Sequence, residues 1–236
     1  MVKLKNKVIA VTGANRGIGL AITRALASEG ATLVLMGRDR RGLSKAAREF
    51  RGEPMVVLAD VTRPASVGRA FREIGRRAKR LDALVNNAGD FIYKPFTRTS
   101  VTDWNRMLAA NLTSVFAVTQ AALPLLKRGR EAQVVNILSV SSRVAFENCS
   151  AYTASKFGAL GLTRVLRKEL RALGIRVTAI LPGSTNTRMM NAFNFPLDRA
   201  KLLQPDDVAQ AVLSALLQPP HATVEEVHLM PSAGPA

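Results

Sequence analysis

The chain of 236 residues contains one cysteine, Cys149, so it can form no internal disulfide and offers no cysteine-based metal site. Its two histidines, His221 and His228, lie far along the chain from the other polar motifs and lack ligand spacing. Aromatic residues are only 5% of the chain, so its core must be mostly aliphatic. No apolar run approaches the roughly 18 residues needed to cross a bilayer. The opening MVKLKNKVIAVTG has neither a long apolar stretch nor a small-residue cleavage site, and reads as a charged edge leading into a strand. A soluble, cytoplasmic protein is expected.

Acidic residues are scarce as well. Seventeen Asp and Glu face 34 Lys and Arg, a net charge of +17. Much of the excess lies in 38–51 and 63–80, where it suits the solvated faces of two helices. Such a surface attracts phosphates and acidic partners. The basic residues are not interleaved with aromatics, which argues against a stacking platform for single-stranded nucleic acid.

What the chain does have is alternation. Strand-like apolar runs occur at Val8–Thr12, Thr32–Met36, Met55–Ala59, Ala83–Asn86, Gln133–Leu138, Ile175–Leu181 and Val227–Met230. Amphipathic helical patterns fall between them, near 17–29, 40–50, 64–78, 101–127, 151–173 and 206–217. Runs such as LVLM and VVNIL are apolar throughout, as expected when helices cover both faces of a parallel sheet. The pattern predicts a Rossmann-type, doubly wound α/β fold: a seven-stranded, mainly parallel sheet in one domain spanning 1–236. The irregular segment 188–204 is expected to loop over the carboxyl ends of the strands, where ligands bind in such folds.

The strand KVIAVT runs directly into Gly13-Ala14-Asn15-Arg16-Gly17-Ile18-Gly19 and then a helix. Glycines there permit a tight turn and close approach of backbone to a pyrophosphate, which the helix N-terminus attracts. The second strand ends in LVLMGRDRR, placing Gly37 and then Arg38 where NAD-binding proteins of this kind commonly carry an acid. A guanidinium there can fork onto a 2′-phosphate. Asp39 is the competing selector, because it can instead hold the ribose hydroxyls and favour NAD.

Tyr152 and Lys156, in YTASK, are four apart and share one helix face. A free phenol has a pKa of about 10. A nearby ammonium, with the positive charge of an oxidised nicotinamide, favours the phenolate and makes the pair a tunable acid and base.

Taken together these motifs resemble the short-chain dehydrogenase/reductase family, and the resemblance covers nearly the whole chain. TGxxxGIG is its nucleotide-binding signature. Asn86-Asn87-Ala88-Gly89 matches its NNAG, Asp60-Val61 follows its third strand, and Pro182-Gly183 with Thr187 matches PGxxxT. The resemblance implies that Asp60 meets the adenine and that Thr187 contacts the nicotinamide carboxamide. Basic residues at Arg16 and Arg38 together resemble users of NADP(H), with NAD(H) as the alternative.

The resemblance further implies that Tyr152 exchanges a proton with the substrate oxygen. Lys156 would hold the nicotinamide ribose and lower the pKa of the tyrosine. Ser139, thirteen residues before Tyr152, would bond the carbonyl, with Ser141 and Ser142 as rivals. Asn111, in AANLTSVF, would anchor a water in a proton relay. The implied activity is reversible carbonyl reduction on a small molecule, by a homodimer or homotetramer built through helices 101–127 and 151–173.

Two alternatives stay open: a 3-oxoacyl-carrier-protein reductase, whose acidic carrier the basic surface would suit, and a nucleotide-sensing or nucleic-acid-binding module on the same fold. Phe91, Tyr93, Phe146, Phe193 and Phe195 fall in loops near the expected catalytic face and suggest an apolar or aromatic substrate. Cys149 is expected to be a small buried hydrophobe. Trp104, after the capping signal Ser100-x-x-Asp103, is expected to pack its helix.

Overall fold

The computed structural model describes residues 4–193 and 196–234, so Phe195 lies outside the described residues. Seven strands form one sheet: β1 (Val8–Thr12), β2 (Thr32–Gly37), β3 (Met55–Leu58), β4 (Ala83–Asn86), β5 (Gln133–Ile137), β6 (Arg176–Pro182) and β7 (Glu226–Leu229). Their order is β3-β2-β1-β4-β5-β6-β7. Every pairing is parallel.

Among the described residues, seven α-helices flank the sheet: α1 (Gly17–Ser28), α2 (Arg40–Ala47), α3 (Pro64–Ala78), α4 (Val101–Leu108), α5 (Ser114–Leu126), α6 (Ser150–Arg171) and α7 (Pro205–Leu216). The strands alternate their side chains between two cores, as the pleat requires. Ile9 and Val11 of β1 pack with α1 and α7, including Ile22, Leu26 and Val212. Ala10, between them, joins the opposite core with Ile74 of α3 and Val118 of α5. Burial on both faces is why these strands are apolar without interruption.

The topology also creates the crevice. The chain winds outward from β1 through β2 to β3, then crosses back to place β4 on the other side of β1. Loops leaving β1 and β4 therefore diverge at the carboxyl edge and leave a space where ligands bind in such sheets.

Four details depart from the sequence expectation. The stretch 101–127 is interrupted by a π-turn at Ala109–Thr113. Helix 101–126 contains an 18-residue window of mean hydropathy 1.4, long and apolar enough to span a membrane by length and composition. Isolated Thr, Ser and Asn residues hide this in a search for unbroken apolar runs. In the fold the helix packs against α3 and α6. Trp104 is 40% exposed, although the capping box of Ser100 and Asp103 forms as expected. Within 188–204, short 3₁₀ turns occupy Arg188–Ala192 and Arg199–Lys201.

At the opposite edge of the sheet, Asp82 is buried and gathers three chain segments. Its carboxylate accepts from the Val8 N–H at 2.7 Å, from the Arg130 N–H at 2.7 Å and from Arg80 Nε at 3.2 Å. It thereby pins the start of β1 beside β4 and the turn before β5. Removing the carboxylate strands two part-buried N–H groups and a guanidinium. Asp82→Ala should cost about 3 kcal/mol in chemical denaturation. A loss within experimental error of zero would contradict this role.

Candidate active site

The turn after β1 is held by close packing. An added Cβ at Gly19 would lie 2.2 Å from the Gly13 carbonyl oxygen and 2.5 Å from Asn87 Nδ2, so only glycine fits. Gly17 sits at φ +53°, a conformation that side chains disfavour. The α1 N-cap, Arg16, makes no side-chain cap, and no acid stands in the first turn. The positive end of the helix therefore opens onto the crevice.

A groove of about 1210 Å³ occupies that crevice. Gly13, Asn15, Arg16, Gly17, Ile18 and Gly19 form one wall, with Arg38, Asp60 and Val61 at one end. Asn87, Ala88 and Gly89 come from the β4 loop, and Thr187 from the segment after β6. Sequence motifs missed three cations on the same groove: Lys45, Arg106 and Arg188. Arg188 directly follows Thr187, and its charge was the only signal it gave.

The two candidates for cofactor selection part company here. Asp39 is the N-cap of α2, and its carboxylate accepts from the Gly42 N–H at 3.0 Å. Arg38 is exposed toward the groove and acts on Asp60. Burial pushes the Asp60 carboxyl upward. Hydrogen bonds from the Thr62 hydroxyl and N–H, with the charges of Arg38 and Arg63, outweigh burial and hold it below the usual carboxylate range.

A second cavity of about 260 Å³ contains Ser139, Tyr152, Pro182 and Gly183. The two cavities share Phe91, Thr187 and Met189, so they meet at the segment following β6. Tyr152 and Lys156 are buried on α6, with Lys156 Nζ 5.7 Å from the centre of the Tyr152 ring. Lys156 also donates to the Ile137 carbonyl at 3.2 Å, at the end of β5. Ser139 lies just beyond β5 and its hydroxyl accepts from the Ser141 N–H at 3.1 Å. Ser141 lines the same cavity, whereas Ser142 does not.

The electrostatics differ from the sequence expectation. Burial pushes the Tyr152 phenol up to about 12, with the Ser139 hydroxyl pulling against it and Cys149 adding to the rise. Burial likewise lowers the Lys156 ammonium to about 8. Desolvation is the largest influence on each, and it shifts both groups toward their neutral forms. Cys149 is buried as expected, its thiol raised to about 11 by the same cause.

Asn111 lies within the π-turn, and its amide is fully engaged. Oδ1 accepts from the Asp90 N–H at 2.9 Å, while Nδ2 donates to the Asp90 carbonyl at 2.9 Å and to Ser155 Oγ at 3.1 Å. It joins the β4 loop to α6, beside the helical turn that carries Tyr152. Among the described residues, no group of three His, Cys, Asp or Glu side chains could hold a metal.

Comparison with known proteins agrees with this architecture. The family model for short chain dehydrogenases matches residues 7–196. The chain belongs to the short chain dehydrogenase family. As an oxidoreductase of that family, it is 35% identical over 231 residues to an uncharacterized oxidoreductase of Staphylococcus epidermidis, covering 98% of this chain and all of the relative. A Staphylococcus aureus oxidoreductase is 36% identical over 232 residues, with the same coverage.

Among solved structures, an alcohol dehydrogenase from the archaeon Thermococcus sibiricus, complexed with 5-hydroxy-NADP, superposes with a TM-score of 0.89. It is 30% identical, over 96% of this chain and 97% of its own. A Shigella flexneri short chain dehydrogenase complexed with NADP has a TM-score of 0.89 and 29% identity over the same shares.

The oxidoreductase contains two tyrosines, so its phenol chemistry is readable by absorbance. In a Tyr93→Phe background, alkaline titration should show no phenolate up to about pH 10, the ordinary tyrosine value. A phenolate half-formed at or below that pH in the folded protein would contradict desolvation as the dominant effect on Tyr152.

Proposed function

We propose that the protein interconverts a ketone or aldehyde with the corresponding alcohol, using NADP(H). The observation carrying this reading is the junction of the two cavities. A long cation-lined groove meets, at Phe91, Thr187 and Met189, a small chamber in which Ser139 and Tyr152 share the wall. A dinucleotide fits the first in charge and shape, and a small carbonyl compound fits the second. Bound in the groove, the nicotinamide supplies or accepts the hydride.

The residues of the chain then supply binding, orientation and the proton. The α1 N-terminus and Arg16 hold the diphosphate. Arg38 forks onto the 2′-phosphate, while Asp39 is occupied in capping α2. Asp60 and Val61 border the adenine. Asn87, Ala88 and Gly89 support the central part of the cofactor, and Pro182, Gly183 and Thr187 its nicotinamide end. Lys156 holds the nicotinamide ribose.

Ser139 orients the substrate oxygen, and Tyr152 donates the proton during reduction. A phenol raised to about 12 is protonated at neutral pH, the form that reduction requires. Asn111 positions the β4 loop against α6, and Met189, Met190 and Phe193 border the substrate chamber. Apolar side chains exposed on α5 and α6, among them Phe116, Phe157 and Val165, suit burial against a second copy in a homo-oligomer.

Two substitutions test this assignment. Tyr152→Phe keeps the ring and loses the proton, so turnover should fall by about 10²–10⁴-fold while NADPH still binds. Near-normal turnover in the folded variant would sink the mechanism. Arg38→Ala should weaken NADPH by roughly ten- to a hundredfold and leave NADH nearly unchanged, since only NADPH carries the phosphate. Tighter binding of NADH than NADPH by the unaltered protein would make Asp39 the selector.

A further inference from the structure

Charge is divided sharply between the two cavities. Among the described residues the groove carries five cations, Arg16, Arg38, Lys45, Arg106 and Arg188, against three carboxylates, Asp39, Asp60 and Asp90. The inner chamber has no Lys, Arg or His among its described lining residues, in a chain with 34 Lys and Arg. Its one carboxylate, Glu147, is exposed at the rim. Lys156, its Nζ 5.7 Å from the centre of the Tyr152 ring, does not line the chamber.

The chamber walls are aromatic and sulfur-bearing. Phe91 meets the Tyr152 ring edge-on with centroids 4.8 Å apart, and Phe193 lies 5.3 Å from Phe91 at a tilt. Tyr93 is 4.9 Å from Phe193, and its hydroxyl accepts from Asn148 Nδ2 at 3.0 Å. Met189, Met190 and Met230 complete the apolar surface. Rings and thioethers favour an aromatic guest through edge-to-face and sulfur contacts. At about 260 Å³ the chamber falls below the range of roughly 300–1,000 Å³ that holds drug-sized ligands, so the guest is compact.

We propose that this chamber selects a compact, uncharged aryl carbonyl compound and its benzylic alcohol, and excludes substrates bearing a carboxylate. The proposal rests on the oxidoreductase reading only in naming the guest as substrate; the selectivity follows from the chamber itself. The carbonyl oxygen meets Ser139 and Tyr152, the polar end. The ring lies among Phe91, Phe193 and Met190. A carboxylate placed there loses its hydration, finds no cation to replace it and faces Glu147 at the exit. The anionic cofactor and the neutral substrate are thereby directed to different halves of one cleft.

Benzamide and benzoate, equal in size and different in charge, are the probes. Saturation-transfer NMR with the full chain, with and without NADPH, should show benzamide bound at least about tenfold more tightly than benzoate. Phe193→Ala should weaken benzamide. Equal or tighter binding of benzoate, no binding of benzamide, or indifference to Phe193→Ala would each overturn the proposal. Consumption of NADPH with acetophenone, measured on the same samples, reads the oxidoreductase assignment separately. Selective benzamide binding without any turnover would sustain the chamber's selectivity and count against the redox reading alone.

Discussion

The site depends on one knot of hydrogen bonds between the ends of β1 and β4. The Thr12 hydroxyl oxygen accepts from the N–H groups of Asn87 and Ala88 at 2.9 and 3.0 Å. Asn87 Nδ2 returns donors to the Thr12 carbonyl at 2.9 Å and the Gly13 carbonyl at 3.3 Å. Gly19 packs into the same point with no room for a Cβ. These contacts set where α1 begins, which way its N-terminus faces and how the β4 loop borders the groove. Buried polar groups that satisfy one another in this way are costly to disturb singly.

From that knot the rest of the cleft is built by extension. Asn111 ties the next stretch of the β4 loop, at Asp90, to Ser155 on α6. Ser155 in turn donates to the Tyr152 carbonyl at 2.6 Å, so α6 is referenced to the same loop. Lys156 is moored to the end of β5 through Ile137. Burial then determines the chemistry. It pushes the phenol upward and the lysine downward, each toward its neutral form.

Much of this was legible in the sequence, for reasons that are local. Strands buried on both faces must be apolar throughout, so VIAVT, LVLM and VVNI announced themselves. The glycines of the first turn and the Tyr152/Lys156 spacing reflect close packing and helix periodicity, which are also short-range. What was hidden depends on partners distant in the chain. Asp82 gains its role from Val8 and Arg130, and Arg188 from a groove whose other wall begins at Gly13.

The π-turn at Asn111 leaves the helical pattern of 101–127 undisturbed in sequence, so it passed unseen. Proximity of a lysine is visible in a spacing, whereas the burial that pushes the Tyr152 phenol upward in the chain alone is not. The sequence favoured Arg38 and Arg16 over Asp39 on charge alone, and did not reveal that the Asp39 carboxylate accepts from the Gly42 N–H.

The central claim is that the packed glycine turn forms a dinucleotide site, and Gly19 tests it most directly. Titration with NADPH, followed by cofactor fluorescence alongside thermal unfolding, compares the unaltered chain with Gly19→Ala. The added Cβ, 2.2 Å from the Gly13 carbonyl oxygen, forces the turn and α1 apart. The account predicts saturable binding by the unaltered chain and a loss of about tenfold or more in a variant that still unfolds cooperatively. Equal NADPH affinity in the two proteins would contradict it.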